Sequence, residues 1–497
     1  MKDFIAAGLS SGGGTATLAR EDTLSMDATE LCFTPATALA AAIRARTLSP
    51  VEIMDAVLAR IERLNPRLNA YLTVDADGAR AAARAAEAAV MRGGALPPLH
   101  GLPVPIKDLE PVAGLRCTYG SKFYVDSIAD IDGIVPERVK AAGGIVIGKT
   151  NTSHYGYRDT SDNLIGPPCR NPWRLDRTSG GSSGGAASAV AAGLGAIAHG
   201  SDGAGSIRIP AAFCGVFGLK PSLGRVPLWP TTDIWAARGH NGPIARTVAD
   251  AALLLGALAG PDARDPLSID ASPEDYAAAV RDPLPALRGL RVAWSADFGY
   301  AALDPEVRRL TTSAAERFAS LGAHVESVDP GWDDPREAAT IIWQVAYAAR
   351  LGERYAAEPG WFEPELAGMI EAGRRVSAME LGRAMLARTT FHGQVQRFLD
   401  RYDLLLTPQM PAGAWPVEGP PSAIGGTPTP AMFDRLPFTF PFNLTGHPAA
   451  SVPCGFTSDG LPAALQIVGR WHADTLVLQA AAAFEQAAPW AERRPSL

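Results

Sequence analysis

The sequence predicts an α/β fold, in which helices alternate with short buried strands. Apolar runs of three residues, such as Val104–Ile106 and Ile145–Ile147, are separated from one another by turn or helical sequence. Continuous apolar runs of this kind are typical of strands that are buried on both faces of a sheet. Neither an internal repeat nor a linker divides the 497 residues. We therefore expect one large unit around a mainly parallel or mixed sheet.

The first half of the chain carries clear helix signals. Ser49-Pro50-Val51-Glu52 supplies an N-cap serine, a proline at the first helical position and the glutamate of a capping box. Apolar residues then recur at helical spacing as far as Asn65-Pro66, where the helix is predicted to end. The alanine-rich run over residues 79–92 predicts a second helix, capped by Asp77. The strands predicted in this half are residues 104–106, 145–147 and 196–198.

The second half continues the alternation. Asp304-Pro305 provides a cap and a first-turn proline for a helix that runs to about Leu321. Residues 408–430 hold seven prolines, too many for a core element, and predict an ordered loop on the surface or at a pocket mouth. Residues 336–400 have a largely helical pattern. The strands predicted here are residues 291–294, 404–406 and 465–468.

Composition limits the class of protein. A net charge of −7 without any polybasic run argues against a nucleic-acid partner. No run approaches the roughly 18 apolar residues of a membrane span. The five cysteines are widely spaced and form no CxxC pair, which favours reduced thiols and the cytoplasm. No metal-ligand spacing is present, so neither a metal nor a cofactor is expected. Residues 1–30 are rich in Gly, Ser and Thr, lack a secretory apolar core, and predict a loose arm before a domain spanning residues 31–497.

The stretch from Ser182 to Ser206 is the most informative part of the chain. Two glycine-dense loops, each carrying one of these serines, flank a predicted helix and strand, so the serines are candidates to meet in space. Glycine lets backbone N–H groups converge on a developing negative charge. A serine beside such groups is what acyl transfer requires. Earlier in the chain, Lys107 ends the apolar run of residues 102–106.

At these residues the chain closely resembles the amidase signature family of serine hydrolases. The resemblance runs from about residue 35 to about residue 490. It implies one large domain whose central mixed sheet is flanked on both faces by helices, and a cofactor-free amide hydrolase. The matching segments follow the family's order and spacing, and they are Pro105–Asp108, Gly180–Gly185, Gly205–Ala211, Phe213–Pro221, Asn443–Ala449, Gly460–Pro462 and Leu465–Gly469.

The resemblance also implies a catalytic triad. Ser206 is the expected nucleophile, Ser182 the bridging serine before a cis peptide bond, and Lys107 the general base. A lysine acts as a base only when it is neutral, and its ordinary pKa is about 10.4. Because burial lowers the pKa of a lysine, we expect Lys107 to be buried.

Further residues are expected to support this triad. The expected oxyanion donors are the backbone N–H groups of Gly203, Ala204, Gly205 and Ser206. Many relatives have glycine where Ala204 stands, so alanine would be strained there if the position needs a positive φ. Asp202 and Arg208 are expected to pair and brace the loop, with Ser183 beside the bridging serine in a supporting role.

Simpler interpretations of the same features stay open at this point. The alternative interpretation of Lys107 is a surface lysine. The alternative interpretation of Ser182 is a cap for the helix that follows it. If lysine is not the base, a histidine such as His154 or His199 would be required. Residues 180–184 satisfy the G-x-S-x-G pattern, but a polar, proline-containing segment precedes them where a nucleophile elbow needs a strand. Residues 143–150 satisfy the phosphate-loop pattern, but the predicted strand lies inside that motif.

The expected function is hydrolysis of a C–N amide bond through a seryl acyl-enzyme, by a monomer or homodimer acting on a small molecule. Carbamates and esters are further expected substrates, because only the leaving group changes. One alternative is the amidase-like component of a tRNA-dependent amidotransferase, although residues 154–159 resemble the free-standing enzymes more. A remote alternative is a nucleotide-binding protein that uses residues 143–150. Aromatic residues expected near the site are Tyr119, Tyr155, Trp229 and Trp235.

Overall fold

The computed structural model describes residues 27–230 and 239–497, and the elements below belong to these ranges. The α-helices are α1 Ala28–Phe33, α2 Ala36–Arg44, α3 Pro50–Leu68, α4 Ala76–Arg92, α5 Ile134–Ala141, α6 Gly184–Ala191, α7 Arg208–Cys214, α8 Val248–Leu258, α9 Tyr276–Ala279, α10 Leu284–Leu287, α11 Pro305–Ser320, α12 Arg336–Ala357, α13 Pro364–Arg375, α14 Ala378–Leu399, α15 Pro441–Thr445 and α16 Asp474–Ala487. The strands are β1 Tyr71–Val74, β2 Pro103–Lys107, β3 Ile145–Thr150, β4 Ile197–Asp202, β5 Phe217–Lys220, β6 His240–Ala245, β7 Arg291–Trp294, β8 His324–Ser327, β9 Leu404–Pro408, β10 Ala423–Ile424, β11 Thr427–Pro428, β12 Ala449–Phe456 and β13 Pro462–Gly469. Short 3₁₀ turns lie at Lys122–Tyr124, His154–Gly156, Pro359–Trp361 and Met432–Arg435.

The central sheet has eight strands in the order β4-β6-β5-β12-β13-β9-β7-β8. The pairings from β4 to β9 are antiparallel, and only β9-β7 and β7-β8 are parallel. The sheet is therefore mixed. Of the two arrangements that the sequence left open, the mixed sheet is confirmed and the mainly parallel sheet is wrong. The strands predicted at residues 104–106 and 145–147 lie outside it, because β2 and β3 pair with each other and with β1 in a separate three-stranded sheet.

Both faces of the central sheet are buried. In β9, Leu404 and Leu406 pack into a core cluster that contains residues of α8 and α16, whereas Leu405 packs into a cluster built from α12 and α14. Val292 and Ala293 of β7 divide between the same two clusters. This alternation follows from the period of two in a strand, which sends successive side chains to opposite faces. Helices thus cover both faces, as predicted.

Most predicted helix boundaries are confirmed, with two corrections. Helix α3 begins with the predicted capping box of Ser49 and Glu52, but it continues past Pro66 to Leu68. A proline in the last turn removes only one backbone hydrogen bond, and the fully buried Leu68 anchors the end of the helix. Helix α4 is capped by Asp75 rather than Asp77, because the Asp75 carboxylate accepts the Gly78 N–H at 3.2 Å.

Three further predictions concern the N-terminal arm, the proline-rich segment and membrane-spanning helices. Of the arm predicted over residues 1–30, the first 26 residues lie outside the described ranges, and residues 28–30 belong to α1. The proline-rich segment 408–430 contains only the end of β9 and the two-residue strands β10 and β11. Within the described residues, no helix is both long enough and apolar enough to cross a membrane.

Candidate active site

Lys107 ends β2, and its whole side chain is buried, with 0% exposed. Its Nζ is hydrogen-bonded to Ser182 Oγ at 2.7 Å and to Ser201 Oγ at 3.0 Å, and it donates to the Ser201 carbonyl at 3.2 Å. No carboxylate oxygen of the described residues lies within 4.0 Å of it. Burial lowers the pKa of Lys107 to about 7, against a smaller opposing influence from Asp202. The buried position expected for this lysine is confirmed.

A second buried lysine, on the neighbouring strand, has the carboxylate partner that Lys107 lacks among the described residues. Lys149 of β3 forms an ion pair of 2.9 Å with Asp108, and both side chains are fully buried. Although burial alone would lower the pKa of Lys149, the Asp108 carboxylate raises it above its usual value. The structure therefore keeps one lysine charged and lets the other be neutral near pH 7. Because β3 also pairs on both sides, residues 145–150 form a strand and not a phosphate loop.

Ser182 lies in the loop before α6. The peptide bond between Gly181 and Ser182 is cis, so the cis bond precedes this serine instead of following it. Glycine is required at 181, since a Cβ there would lie 2.4 Å from the carbonyl group of Thr160. The Ser182 carbonyl accepts the Ser161 hydroxyl at 3.1 Å, which fixes the loop from its other side. Residues 171–183 contain no strand, which excludes the nucleophile-elbow geometry.

Ser206 lies in the turn between β4 and α7 and faces the same pocket as Ser182. The two loops are joined through the backbone, because Ser183 N–H donates to the Ser206 carbonyl at 3.1 Å. The Ser183 hydroxyl is fully buried and bridges to the Ser201 backbone, at 3.1 Å to the carbonyl and 3.2 Å from the N–H. Among the described residues, no hydrogen bond joins the Ser206 hydroxyl to Ser182. Lys107, Ser182 and Ser206 nevertheless share one site.

Asp202 organises the turn that carries Ser206. Its carboxylate pairs with Arg208 at 3.0 Å and accepts the N–H groups of Gly205 and Ile207 at 2.6 and 3.1 Å. Burial by itself would raise the pKa of Asp202, but the Arg208 guanidinium holds it well below its usual range. Arg208 is also fully buried, and its further acceptors are the Thr439 carbonyl, Gln466 Oε1 and Asn443 Oδ1. The last two lie in segments that carry the family resemblance, yet sequence reasoning gave them no role.

The four expected oxyanion donors do not have equal status. The Gly205 N–H already donates to Asp202, so Gly205 does not belong in the predicted set of oxyanion donors. The N–H groups of Gly203, Ala204 and Ser206 donate no hydrogen bond within the described part of the chain, and Gly203 and Ser206 line the pocket. Ala204 does not have a positive φ, so alanine is unstrained there. Gly205 is the position with positive φ, at +124°.

The loop offers a matched pair of glycines for a stability test. In Gly205→Ala, the new Cβ would lie 2.6 Å from Thr439 Cβ and would force a positive φ on alanine. In Gly203→Ala, the nearest atom is Trp343 at 3.5 Å, an ordinary contact. We expect Gly205→Ala to lower the free energy of unfolding by about 2 to 4 kcal/mol, and Gly203→Ala by less than about 1 kcal/mol. Urea denaturation of both variants measures the difference; equal losses would contradict the steric argument.

The site opens into a pocket of about 460 Å³, within the size range of small-molecule sites. Tyr119, Tyr155 and Trp229 line it, as the sequence suggested, while Trp235 lies outside the described residues. Sequence reasoning missed the lining residues that helix α12 supplies, and it missed the carboxyl group of Glu110. These missed lining residues are Glu110, Trp343, Tyr347, Arg350, Leu351 and Arg354.

The histidines proposed as alternative bases are poorly placed. His199 lines the pocket, but its Nδ1 accepts the backbone N–H of Lys107 at 3.4 Å and its Nε2 contacts Asn241 Oδ1 at 3.0 Å. Burial lowers the pKa of His199 to about 3. His154 is paired with Glu363 at 2.7 Å and does not line the pocket. No group of three metal-ligating side chains occurs among the described residues.

Comparisons with known proteins place the sequence and the fold of this chain in one family. The model of the Amidase family matches residues 52–478. An acylamidase of Rhodococcus erythropolis is 39% identical over 93% of this chain and 97% of that protein. A glutamyl-tRNA(Gln) amidotransferase component of Moorella thermoacetica is 36% identical over 94% of this chain and 99% of that protein. The structure of a bacterial aryl acylamidase of the amidase signature family superposes with a TM-score of 0.87 at 34% identity, over 93% of this chain and 97% of that one. The chain therefore belongs to the amidase signature family and is a hydrolase of C–N amide bonds.

Proposed function

We propose that the protein hydrolyses small-molecule amides through a seryl acyl-enzyme, with Ser206 as nucleophile, Ser182 as proton relay and neutral Lys107 as general base. The observation that carries this proposal is the hydrogen-bond set of Lys107. A neutral amine has two N–H donors and one lone pair. The contacts of Lys107 Nζ match these donors and this lone pair. The Ser201 carbonyl and hydroxyl oxygens can each accept one N–H, and the Ser182 hydroxyl can donate to the lone pair.

The proton route follows from this arrangement. As Ser206 Oγ attacks the carbonyl carbon, its proton passes to Ser182 Oγ, and the Ser182 proton passes to Lys107 Nζ. When the tetrahedral intermediate collapses, the C–N bond breaks and the same route returns a proton to the leaving nitrogen. Water then attacks the acyl-enzyme with the roles repeated. The absence of a direct hydrogen bond between the serines is compatible with this route, since catalytic hydrogen bonds often form only with substrate bound.

Developing negative charge on the substrate oxygen needs donors beside Ser206. The N–H groups of Gly203, Ala204 and Ser206 have no partner among the described residues, which makes them the donors we propose. Asp202 and Arg208 hold this turn in place from behind and do not touch the reacting atoms. Because the same donors would serve any acyl group, we propose that carbamates and esters are also substrates.

We propose a free-standing enzyme and not a component of an amidotransferase. Relatives of both kinds cover nearly the whole chain, with 39% identity to the acylamidase and 36% to the amidotransferase component. Residues 154–159 resemble the free-standing enzymes, and a monomer or homodimer would be sufficient for the chemistry. All five cysteines are free thiols, which supports a cytoplasmic setting.

Hydrolysis by the purified chain alone tests this proposal. We expect the protein to release 4-nitroaniline from 4-nitroacetanilide without any partner chain, ATP or tRNA. EDTA should not change the rate, because the proposed chemistry uses no metal. A parallel panel of a carbamate, an ester and an aliphatic amide measures the range of leaving groups. Activity that appears only with added partner chains would instead support the amidotransferase alternative, and loss with EDTA that zinc restores would reveal a metal site.

A further inference from the structure

One face of helix α12 forms a wall of the pocket and leads away from the nucleophile. The residues of this face recur at helical spacing, and they are Trp343, Tyr347, Arg350, Leu351 and Arg354. Trp343 lies at the inner end, since a Cβ on Gly203 would be 3.5 Å from its ring. At a rise of about 1.5 Å per residue, Arg350 and Arg354 lie roughly 10 and 16 Å further along the helix. The two arginines therefore stand at the outer part of the pocket wall.

Neither arginine has a carboxylate partner within 4.0 Å among the described residues, whereas the buried Arg208, Arg225 and Arg435 each have one. Arg354 donates to the Tyr124 hydroxyl at 2.5 Å, and its guanidinium lies 5.4 Å from the centre of the Tyr124 ring. Arg350 lies 5.9 Å from the centre of the Tyr347 ring. Arg350 is exposed and Arg354 partly buried, so their guanidinium groups are available to a ligand in the pocket.

Among the described residues, the pocket offers little negative charge that would neutralise them. Within residues 27–230 and 239–497, its acidic lining residues are Glu110 and Asp202. Asp202 is occupied by Arg208, as described above. Burial raises the pKa of Glu110 to about 8, so its carboxyl group is largely protonated at pH 7. The two arginines also act on Tyr155, which lines the pocket. Burial raises the pKa of Tyr155, and the charges of Arg354 and Arg350 oppose this rise.

From this arrangement we propose that Arg350 and Arg354 form an anion subsite that selects amide substrates with a carboxylate on the arm remote from the scissile bond. This inference rests on the proposed function, because it places the scissile carbonyl beside Ser206. Guanidinium groups bind carboxylates with paired, charge-assisted hydrogen bonds. Tyr124, Tyr155 and Tyr347 line the path between the two ends and fit an aliphatic or aromatic spacer.

Two pairs of probes test the preference in the whole protein. In the first pair the acyl arm varies, as the mono-4-nitroanilide of a six-carbon diacid against hexanoyl 4-nitroanilide. In the second pair the amine arm varies, as N-acetyl-4-aminophenylbutanoate against N-acetyl-4-butylaniline. We expect kcat/KM to favour the carboxylate member of at least one pair about tenfold or more. Raising the ionic strength to about 1 M should shrink this ratio, because salt screens exposed charges.

Variants assign the preference to the two arginines. Arg350→Gln/Arg354→Gln should reduce the ratio to near one, and Arg350→Lys/Arg354→Lys should keep part of it because the charge remains. Arg383→Gln removes an exposed arginine of α14 that does not line the pocket, and it should leave the ratio unchanged. A ratio near one in the unmodified protein, or a ratio that the double glutamine variant retains, would overturn the proposal.

A binding measurement separates this inference from the proposed function. Calorimetry with 6-phenylhexanoate and with 6-phenylhexanol, neither of which can be hydrolysed, compares the anion with its neutral counterpart in Ser206→Ala protein. Tighter binding of the carboxylate, lost in the arginine double variant, supports the subsite even if no amide is cleaved. Equal binding of both compounds contradicts the subsite even if neutral anilides are hydrolysed through Ser206.

Discussion

Replacing Ser206 by alanine is expected to lower kcat by a factor of about 10³ or more while the protein stays folded. The change removes the proposed nucleophile and nothing that braces the turn. The Ser206 carbonyl still accepts the Ser183 N–H, and Asp202 still accepts the N–H groups of the residues on either side. Steady-state hydrolysis of an anilide measures the loss, and a thermal unfolding curve checks that the fold is retained.

Ser183 provides the matched control for this variant. It is adjacent to the bridging serine and fully buried, but within the described part of the chain its hydroxyl is hydrogen-bonded only to the Ser201 backbone. Ser183→Ala should therefore lose far less activity than Ser206→Ala. A fluorophosphonate should label the unmodified protein and Ser183→Ala at Ser206, and it should not label Ser206→Ala. Near-parental turnover by folded Ser206→Ala protein would sink the assignment of the nucleophile.

Two parts of the candidate site could be predicted because short segments of sequence carry them. Ser182 and Ser206 stand in glycine-dense segments that suit acyl transfer, but the separate roles of these serines and of Lys107 came from the resemblance to the amidase signature family, and they remain predictions. The burial of Lys107 follows from its place at the end of an apolar strand, since every residue of β2 is buried. The pairing of Asp202 with Arg208 was also accessible, because the two residues are only one short turn apart in sequence.

Features that depend on long-range packing could not be predicted in this way. The amphipathic pattern of α12 indicates a packed helix, but nothing in it shows that Trp343 would face Gly203 or that Arg350 would face a pocket. The apolar runs of β2 and β3 give no sign that these strands form a sheet of their own. The Gly205 N–H was misassigned because residue types do not show which amide a neighbouring carboxylate will accept.

Removing the Lys107 amine should depress activity about as strongly as the loss of a catalytic serine and should change its pH dependence. The proposed base works only when neutral, and burial lowers its pKa to about 7. In the unmodified protein, kcat/KM should therefore be low below pH 6, rise through about pH 7 and level off above pH 8. Lys107→Ala should abolish this rise through about pH 7, since the nearby His199, whose pKa burial lowers to about 3, is already neutral throughout. Glu110, whose pKa burial raises to about 8, also lines the pocket, but its carboxyl group accepts the Val135 N–H and contacts neither serine among the described residues.

Two further variants decide whether the loss comes from catalysis by Lys107 or from a disturbed fold. Lys140→Ala removes an exposed lysine paired with Asp132, and it should keep both the rate and the pH profile. Because the three residues act as one unit, Lys107→Ala/Ser182→Ala should lose far less than the product of the two single losses. Lys107 and Ser182 share one hydrogen bond of 2.7 Å, so once either is gone the other has no proton to relay. Multiplicative losses, or a Lys107→Ala enzyme that keeps a rise near pH 7, would transfer the role of base to another group.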